Sequence, residues 1–172
     1  MGKRNKLLVF WRIVTTLACV LTLAFIFSKS LKPAEASSAQ SSTVVDTVQQ
    51  VVSAVAPESP IATATGEAYD KLHADIRTIA HFLQFALLGA LLCWCWFTYN
   101  QEKPYVVIPA TAIIITPMLD ELLQTLSSGR AAEWLDVGVD VFGGVCGGFF
   151  ALCTITIGVY IYRKKRAQKR TA

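Results

Sequence analysis

Residues 137–162 read VGVDVFGGVCGGFFALCTITIGVYIY, a run in which Asp140 is the only side chain charged at neutral pH. A helix rises about 1.5 Å per residue and needs roughly 20 apolar residues to cross hydrocarbon, so this stretch reads as a transmembrane helix. Three more runs of that kind precede it, at 7–27, 76–99 and 105–126. The chain is 53% hydrophobic with a mean hydropathy of +0.47, and its apolar residues come in long runs, not in the short periodic patterns of a soluble core. The expected fold class is therefore all-α, an integral membrane four-helix bundle. With 172 residues there is no room for a sizeable soluble domain.

Basic residues near span ends are retained on the cytoplasmic side. The head, 1–6, carries Lys3, Arg4 and Lys6, and Arg12 follows inside the first span; the tail, 163–172, carries Arg163, Lys164, Lys165, Arg166, Lys169 and Arg170. Four spans with both termini inside put the 100–104 turn inside too and send the 28–75 and 127–136 loops outward. All but one of the 12 acids, Glu102, then lie outside. Trp11, Trp96, Tyr99, Tyr105, Tyr160 and Tyr162 fall at the inner boundary, and Trp134 at the outer one, as an interfacial belt requires. Topology and anionic lipid account for the basic tail, so no nucleic-acid partner is assigned. Ala34-Glu35-Ala36 offers a signal-peptide reading of the first span, opposed by its length and by Arg12; cleavage would leave the other orientations unchanged.

All five cysteines, Cys19, Cys93, Cys95, Cys146 and Cys153, lie in apolar runs and read as packing residues. In the 28–75 loop, the Ser/Ala-rich 34–43 and the Pro/Thr/Ala-rich 57–65 look flexible. Between them Val44, Val45, Val48, Val51, Val52 and Val55 recur at helical spacing opposite Asp46, Gln49, Gln50 and Ser53. A short amphipathic helix over 44–56 is expected, lying on the outer interface or packed over the bundle.

The ionisable residues of the spans gather near the outer ends. Arg77, His81 and Gln84 share one helical stripe at i, i+4 and i+7; Asp120 and Glu121 precede Gln124 by four and three; Asp136 and Asp140 make another i, i+4 pair. Charge within a bilayer is rare and usually functional. The Asp136–Asp140 stripe continues as Gly143 and Gly147, with Gly144 and Gly148 beside it, so the acids are aimed at a neighbouring helix. That neighbour lies in the same chain or in a second copy, and a homo-oligomer stays open. Pro109 and Pro117 are expected to bend the third span before Asp120.

The string Asp120-Glu121-Leu122-Leu123-Gln124, then Gly129-Arg130, Asp136-Val137, Asp140, Gly143 and Gly147, resembles the signature of the VanZ-like membrane proteins. Arg77-x-x-Ala80-His81-Phe82 with Leu88-Gly89 resembles the family's second span, and Phe25-Ile26-Phe27-Ser28 with Ser37, Ser38, Ser41 and Ser42 resembles the segment after the first. The resemblance amounts to a single VanZ-like domain over about 20–160. Departures occur at Gln84, where many relatives carry an acid, at Leu123, where histidine is frequent, and at Ser128, where proline usually precedes Gly-Arg. The resemblance implies a multi-pass protein of the bacterial cytoplasmic membrane, of the type associated with resistance to teicoplanin and similar lipoglycopeptides. It supplies no reaction.

If the outer ends converge, Asp120, Glu121, Asp136 and Asp140 meet Arg77, Arg130 and His81, an excess of acid that must take up protons, bind a cation or meet a cationic partner. Three functions correspond. An outward-facing site could bind an envelope lipid or lipid-linked cell-wall precursor, or a glycopeptide, with Arg77 and Arg130 gripping phosphate or carboxylate and the acids receiving hydroxyl or amine groups. An intramembrane enzyme could act on an outer-leaflet lipid or sugar phosphate, with His81 or Glu121 as base and Arg130 stabilising charge. A purely structural network could lock the helices together. Catalytic residues are unknown, and no residue is assigned as a metal ligand. No motif requires a cofactor, while oxygen-rich groups with one histidine would suit magnesium, calcium or manganese better than zinc. Transport is disfavoured because the inner halves of the spans carry only isolated hydroxyls.

Overall fold

The computed structural model describes residues 3–100 and 106–171. These form five helices and, among the described residues, no strand: α1 Lys3–Ser30, α2 Ala34–Val55, α3 Glu67–Tyr99, α4 Val107–Thr125 and α5 Trp134–Thr171. All but α2 are long and apolar enough to cross a membrane, so the chain is a multi-pass membrane protein. A lipid-embedded segment must satisfy its own backbone polar groups, and helices do so without partners.

The faces confirm which solvent the helices meet. In α4 the buried residues are Pro109, Ile113, Thr116, Pro117, Asp120, Glu121 and Gln124, a stripe at helical spacing. Ile114, Ile115, Met118, Leu119 and Leu122 are exposed. The helix thus buries its acids and shows its leucines, the reverse of a helix on a soluble protein. Leu7, Ile13, Leu17 and Leu21 of α1 are likewise exposed; acyl chains are as apolar as leucine, so this surface is solvated in lipid.

The most extensive contact joins α3 to α5, and both α3 and α4 also touch α1. Glycines make the α3–α5 approach close. A Cβ at Gly143 would fall on the Phe82 carbonyl and one at Gly147 on the Ala86 carbonyl, while Gly89 faces the Gly144 backbone. Gly144 and Gly148 turn toward the Ile113 side chain of α4. The glycine face is therefore used within one chain. On the other side of α3, Phe85 and Leu88 pack with Ile26 of α1.

Several boundaries differ from those read in the sequence. The 34–43 stretch, expected to be flexible, is the first half of α2. Residues 57–65 form turns held by the Gln49 side chain, which donates to the carbonyls of Ile61 and Ala64 at 3.0 Å each. Helix α3 starts at Glu67 instead of 76, and α5 runs through the basic tail to Thr171 instead of ending at 162. Hydropathy marks only the part of a helix that meets hydrocarbon, so polar extensions escape it. Residues 101–105, most of the turn expected on the inner side and including Tyr105, lie outside the described residues, as do the side chains of Lys3, Arg4 and Arg170.

Helix α2 folds back over the first turns of α3. Val45 is fully buried, the Tyr69 hydroxyl donates to Asp46 at 2.9 Å, and His73 Nε2 meets the Ser38 carbonyl at 3.3 Å. Val44, Val51 and Val55 remain exposed, so the valine face is shared between bundle and surroundings. At the opposite end of the bundle Arg12 donates to the Thr98 carbonyl at 3.0 Å and lies over the Tyr99 ring, which explains a cation inside the first span.

Candidate functional site

Three helix ends and two connections meet where α1 passes into α2. The α1 C-terminus supplies Ser30, whose hydroxyl hydrogen-bonds the Asp120 carboxylate of α4 and also lies 3.0 Å from its own helix's Ile26 carbonyl. Gln124, one turn along α4, donates to the other Asp120 oxygen at 3.1 Å. Asp120, Gln124 and Asp140 are all fully buried. From α3, His81 places Nδ1 3.4 Å from Asp140 Oδ2, the only ion pair among the described residues.

The α4–α5 connection is fastened to the start of α2. Ala34 donates its backbone N–H to the Ser128 carbonyl at 3.2 Å, and Ser127 donates its hydroxyl to the Ser30 carbonyl at 3.0 Å. Gly129 takes a φ of +76°, a left-handed turn that glycine adopts without a steric penalty, and it faces Ala34 so closely that a Cβ would press on it. This turn delivers Arg130, whose guanidinium donates to Ser37 Oγ of α2 at 2.7 Å and approaches the Ser30 carbonyl at 3.5 Å. Its Nε is buried without a partner. Burial and the nearby Arg77 push the Arg130 guanidinium down from its ordinary value, against Asp120, Glu121 and Asp136, which raise it. An arginine so placed still carries its charge at neutral pH.

A cavity of about 260 Å³ opens at this point. Arg77, His81, Asp120 and Arg130 line it together with Lys29 and Gln84, and Ser30, Ser37, Gln40 and Ser41 add neutral polar groups. Phe25, Ile26, Val44 and Ile76 form its apolar walls. Four of the eight residues expected to form a cluster thus share one cavity. Gln124 supports it by holding Asp120, and Asp140 stands behind His81. Glu121 does not enter: adjacent residues on a helix point about 100° apart, and its carboxylate instead accepts the backbone N–H of Glu133 at 2.5 Å. Asp136 is half-buried and away from the cavity lining.

Two features differ from the sequence reading. The arginines do not pair with the carboxylates: no Arg–carboxylate ion pair within 4.0 Å exists among the described residues. No residue was assigned as a metal ligand although a divalent cation stayed open, and His81, Asp120 and Asp140 bring one donor atom each within 4.8 Å of one another. Sequence reasoning also missed Ser30, Lys29 and Gln40. Nothing in a single periodic segment signals them, because their role arises where α1 and α2 meet remote parts of the chain. Ser37 was visible only as one of the serines in the family resemblance.

The family model described as VanZ/LLP1 matches residues 15–157. That span takes in every cavity-lining residue. Comparison with curated proteins and with solved structures gives no match.

Proposed function

The chain belongs to the VanZ/LLP1 family, and on that premise we propose that it is a bacterial cytoplasmic-membrane protein whose cavity binds the phosphate-bearing head group of an envelope lipid or lipid-linked cell-wall precursor. Both termini are cytoplasmic in this reading, and the α2 end faces outward. The positive-inside pattern supports that orientation: the basic tail leaves the opposite end of the bundle from the cavity.

One observation carries the binding role. Lys29, Arg77 and Arg130 line a single cavity, and neither arginine is neutralised by a carboxylate. Arginine's planar fork suits phosphate, and a partly desolvated guanidinium loses less hydration on meeting an anion than a fully solvated one. The apolar walls at Phe25, Ile26 and Val44 suit the first acyl or polyprenyl carbons that follow such a head group. A network built only to lock helices would be expected to join arginine to acid directly, since an unpaired buried charge is costly.

Masking or sequestering such a precursor would alter the response to glycopeptides, the phenotype that the family name suggests. The test is teicoplanin susceptibility of a sensitive host expressing wild type, Arg77→Ala or Arg130→Ala, with membrane levels quantified. Protection by wild type and its loss in well-inserted variants is the expected result. Equal protection by Arg130→Ala would remove the cavity from the phenotype.

A further inference from the structure

We propose that His81, Asp120 and Asp140 form a divalent-cation site at the floor of the cavity. Each comes from a different helix, α3, α4 and α5, and one donor atom from each lies within 4.8 Å of the others. Ligands bonded to one ion at about 2.0–2.2 Å stand about 3 to 4.4 Å apart, so small side-chain rotations close the set.

The second observation is a missing partner. Asp140 is 1% exposed, and its Oδ1 has no hydrogen-bond partner. Its Oδ2 is 3.4 Å from His81 Nδ1, longer than the roughly 2.7–3.2 Å of a good hydrogen bond. A buried carboxylate oxygen without a donor is unfavourable unless something electropositive completes it. No arginine forms an ion pair with it, and its one ionic partner among the described residues, the His81 imidazole, carries charge only when protonated and leaves Oδ1 unanswered. A divalent ion balances the two carboxylates in full.

Donor chemistry selects the ion. Two carboxylates suit magnesium, calcium or manganese, with water completing the shell, and the imidazole nitrogen favours manganese among the three. Three protein ligands leave positions open toward the cavity. Lys29, Arg77 and Arg130 line that same cavity, so a phosphate held by them would lie beside the ion. The metal inference rests on the head-group reading only for what the ion would do there; the site itself stands on its own geometry.

The full-length chain, purified in detergent and stripped with EDTA, is titrated with MnCl₂ while the electron paramagnetic resonance signal of free Mn²⁺ counts what is bound. Wild type and Glu58→Gln, an exposed control, should each take up one ion per chain, and the ion should raise the melting temperature of both. Asp140→Asn and His81→Gln should weaken uptake at least tenfold. His81, partly exposed, gives a variant expected to fold if Asp140→Asn does not. No uptake by wild type, or uptake unchanged in a folded variant, overturns the site. Vesicles containing phosphatidylglycerol, offered to the same samples, separate the two readings: Mn²⁺ uptake without lipid binding sinks the head-group reading alone, and the converse sinks the metal alone.

Discussion

Arg130 donates to the Ser37 hydroxyl at 2.7 Å and to no carboxylate, although four acids come from the neighbouring ends of α4 and α5. The contact ties the α4–α5 turn to the first turn of α2 and leaves the guanidinium without an ion-pair partner beside the cavity. Asp120, the acid of that group that lines the cavity, is occupied by Ser30 and Gln124. Neutral donors hold Asp120 and Glu121 and neutral acceptors hold the arginine, an arrangement that leaves the guanidinium charge unpaired at the cavity wall.

The first prediction concerns that charge. Replacing Arg130 by Lys preserves the charge but loses the fork, and Arg130→Ala loses both. Hydrogen bonds to charged groups contribute about 1.5–3 kcal/mol, roughly ten- to a hundredfold in affinity. Binding of phosphatidylglycerol vesicles should fall by about that factor in Arg130→Ala and by less in Arg130→Lys, with both proteins still inserted. Ser37→Ala, which frees the guanidinium without removing it, should bind within a few-fold of wild type.

A second prediction isolates the buried pair of Ser30 and Asp120. Ser30→Ala removes a donor from a carboxylate that is 0% exposed, and an unsatisfied buried acceptor costs about 1–3 kcal/mol. Asp120→Asn and the double variant complete a cycle. Unfolding in mixed micelles with increasing dodecyl sulfate should show a coupling energy of about 1 kcal/mol or more; simple additivity would mean that the two side chains do not interact.

The sequence exposed much of this architecture and little of its wiring. Helix spans announced themselves through runs such as 137–162, because hydrocarbon demands a length of apolar residues. Arg77 and His81 were legible as one stripe because i, i+4 spacing is local. The glycine face of α5 was equally legible, although only the packing shows that it meets Phe82 and Ala86 of the same chain. What could not be read were relations between remote segments: Ser30 with Asp120, 90 positions apart, and Ser37 with Arg130, 93 apart. Glu121 was grouped with Asp120 by adjacency, but the turn between α4 and α5 supplies the Glu133 N–H that holds it elsewhere. Helix α2 was underestimated because its Ser/Ala-rich half has no apolar period, and contacts with α3 and the α4–α5 turn stabilise it instead.

Orientation provides a third prediction. A membrane-impermeant maleimide should label Glu58→Cys in intact cells, and Lys165→Cys only after permeabilisation. The five native cysteines are buried or partly buried within the spans, so unsubstituted protein should label weakly. The opposite order of labelling would place the cavity toward the cytoplasm and exclude an outward-facing site.

The glycines of α5 differ in what a Cβ would meet, and two of the sets make the fourth prediction internally controlled. A Cβ at Gly143 or Gly147 would lie on a carbonyl of α3, backbone that moves only if the two helices separate. Gly138 and Gly158 have nothing within 4 Å of a built Cβ. Overpacking typically costs about 1–3 kcal/mol, and this contact is against backbone rather than a flexible side chain, so Gly147→Ala should sit at the upper end or beyond. Exposed Gly→Ala in a helix gains up to about 1 kcal/mol from propensity, so Gly138→Ala and Gly158→Ala should be neutral or slightly stabilising. Membrane levels and melting temperatures in detergent give the readout. A tolerated Gly147→Ala would show that α3 and α5 do not approach through their backbones, and the alignment of His81 with Asp140, which depends on that approach, would lose its support.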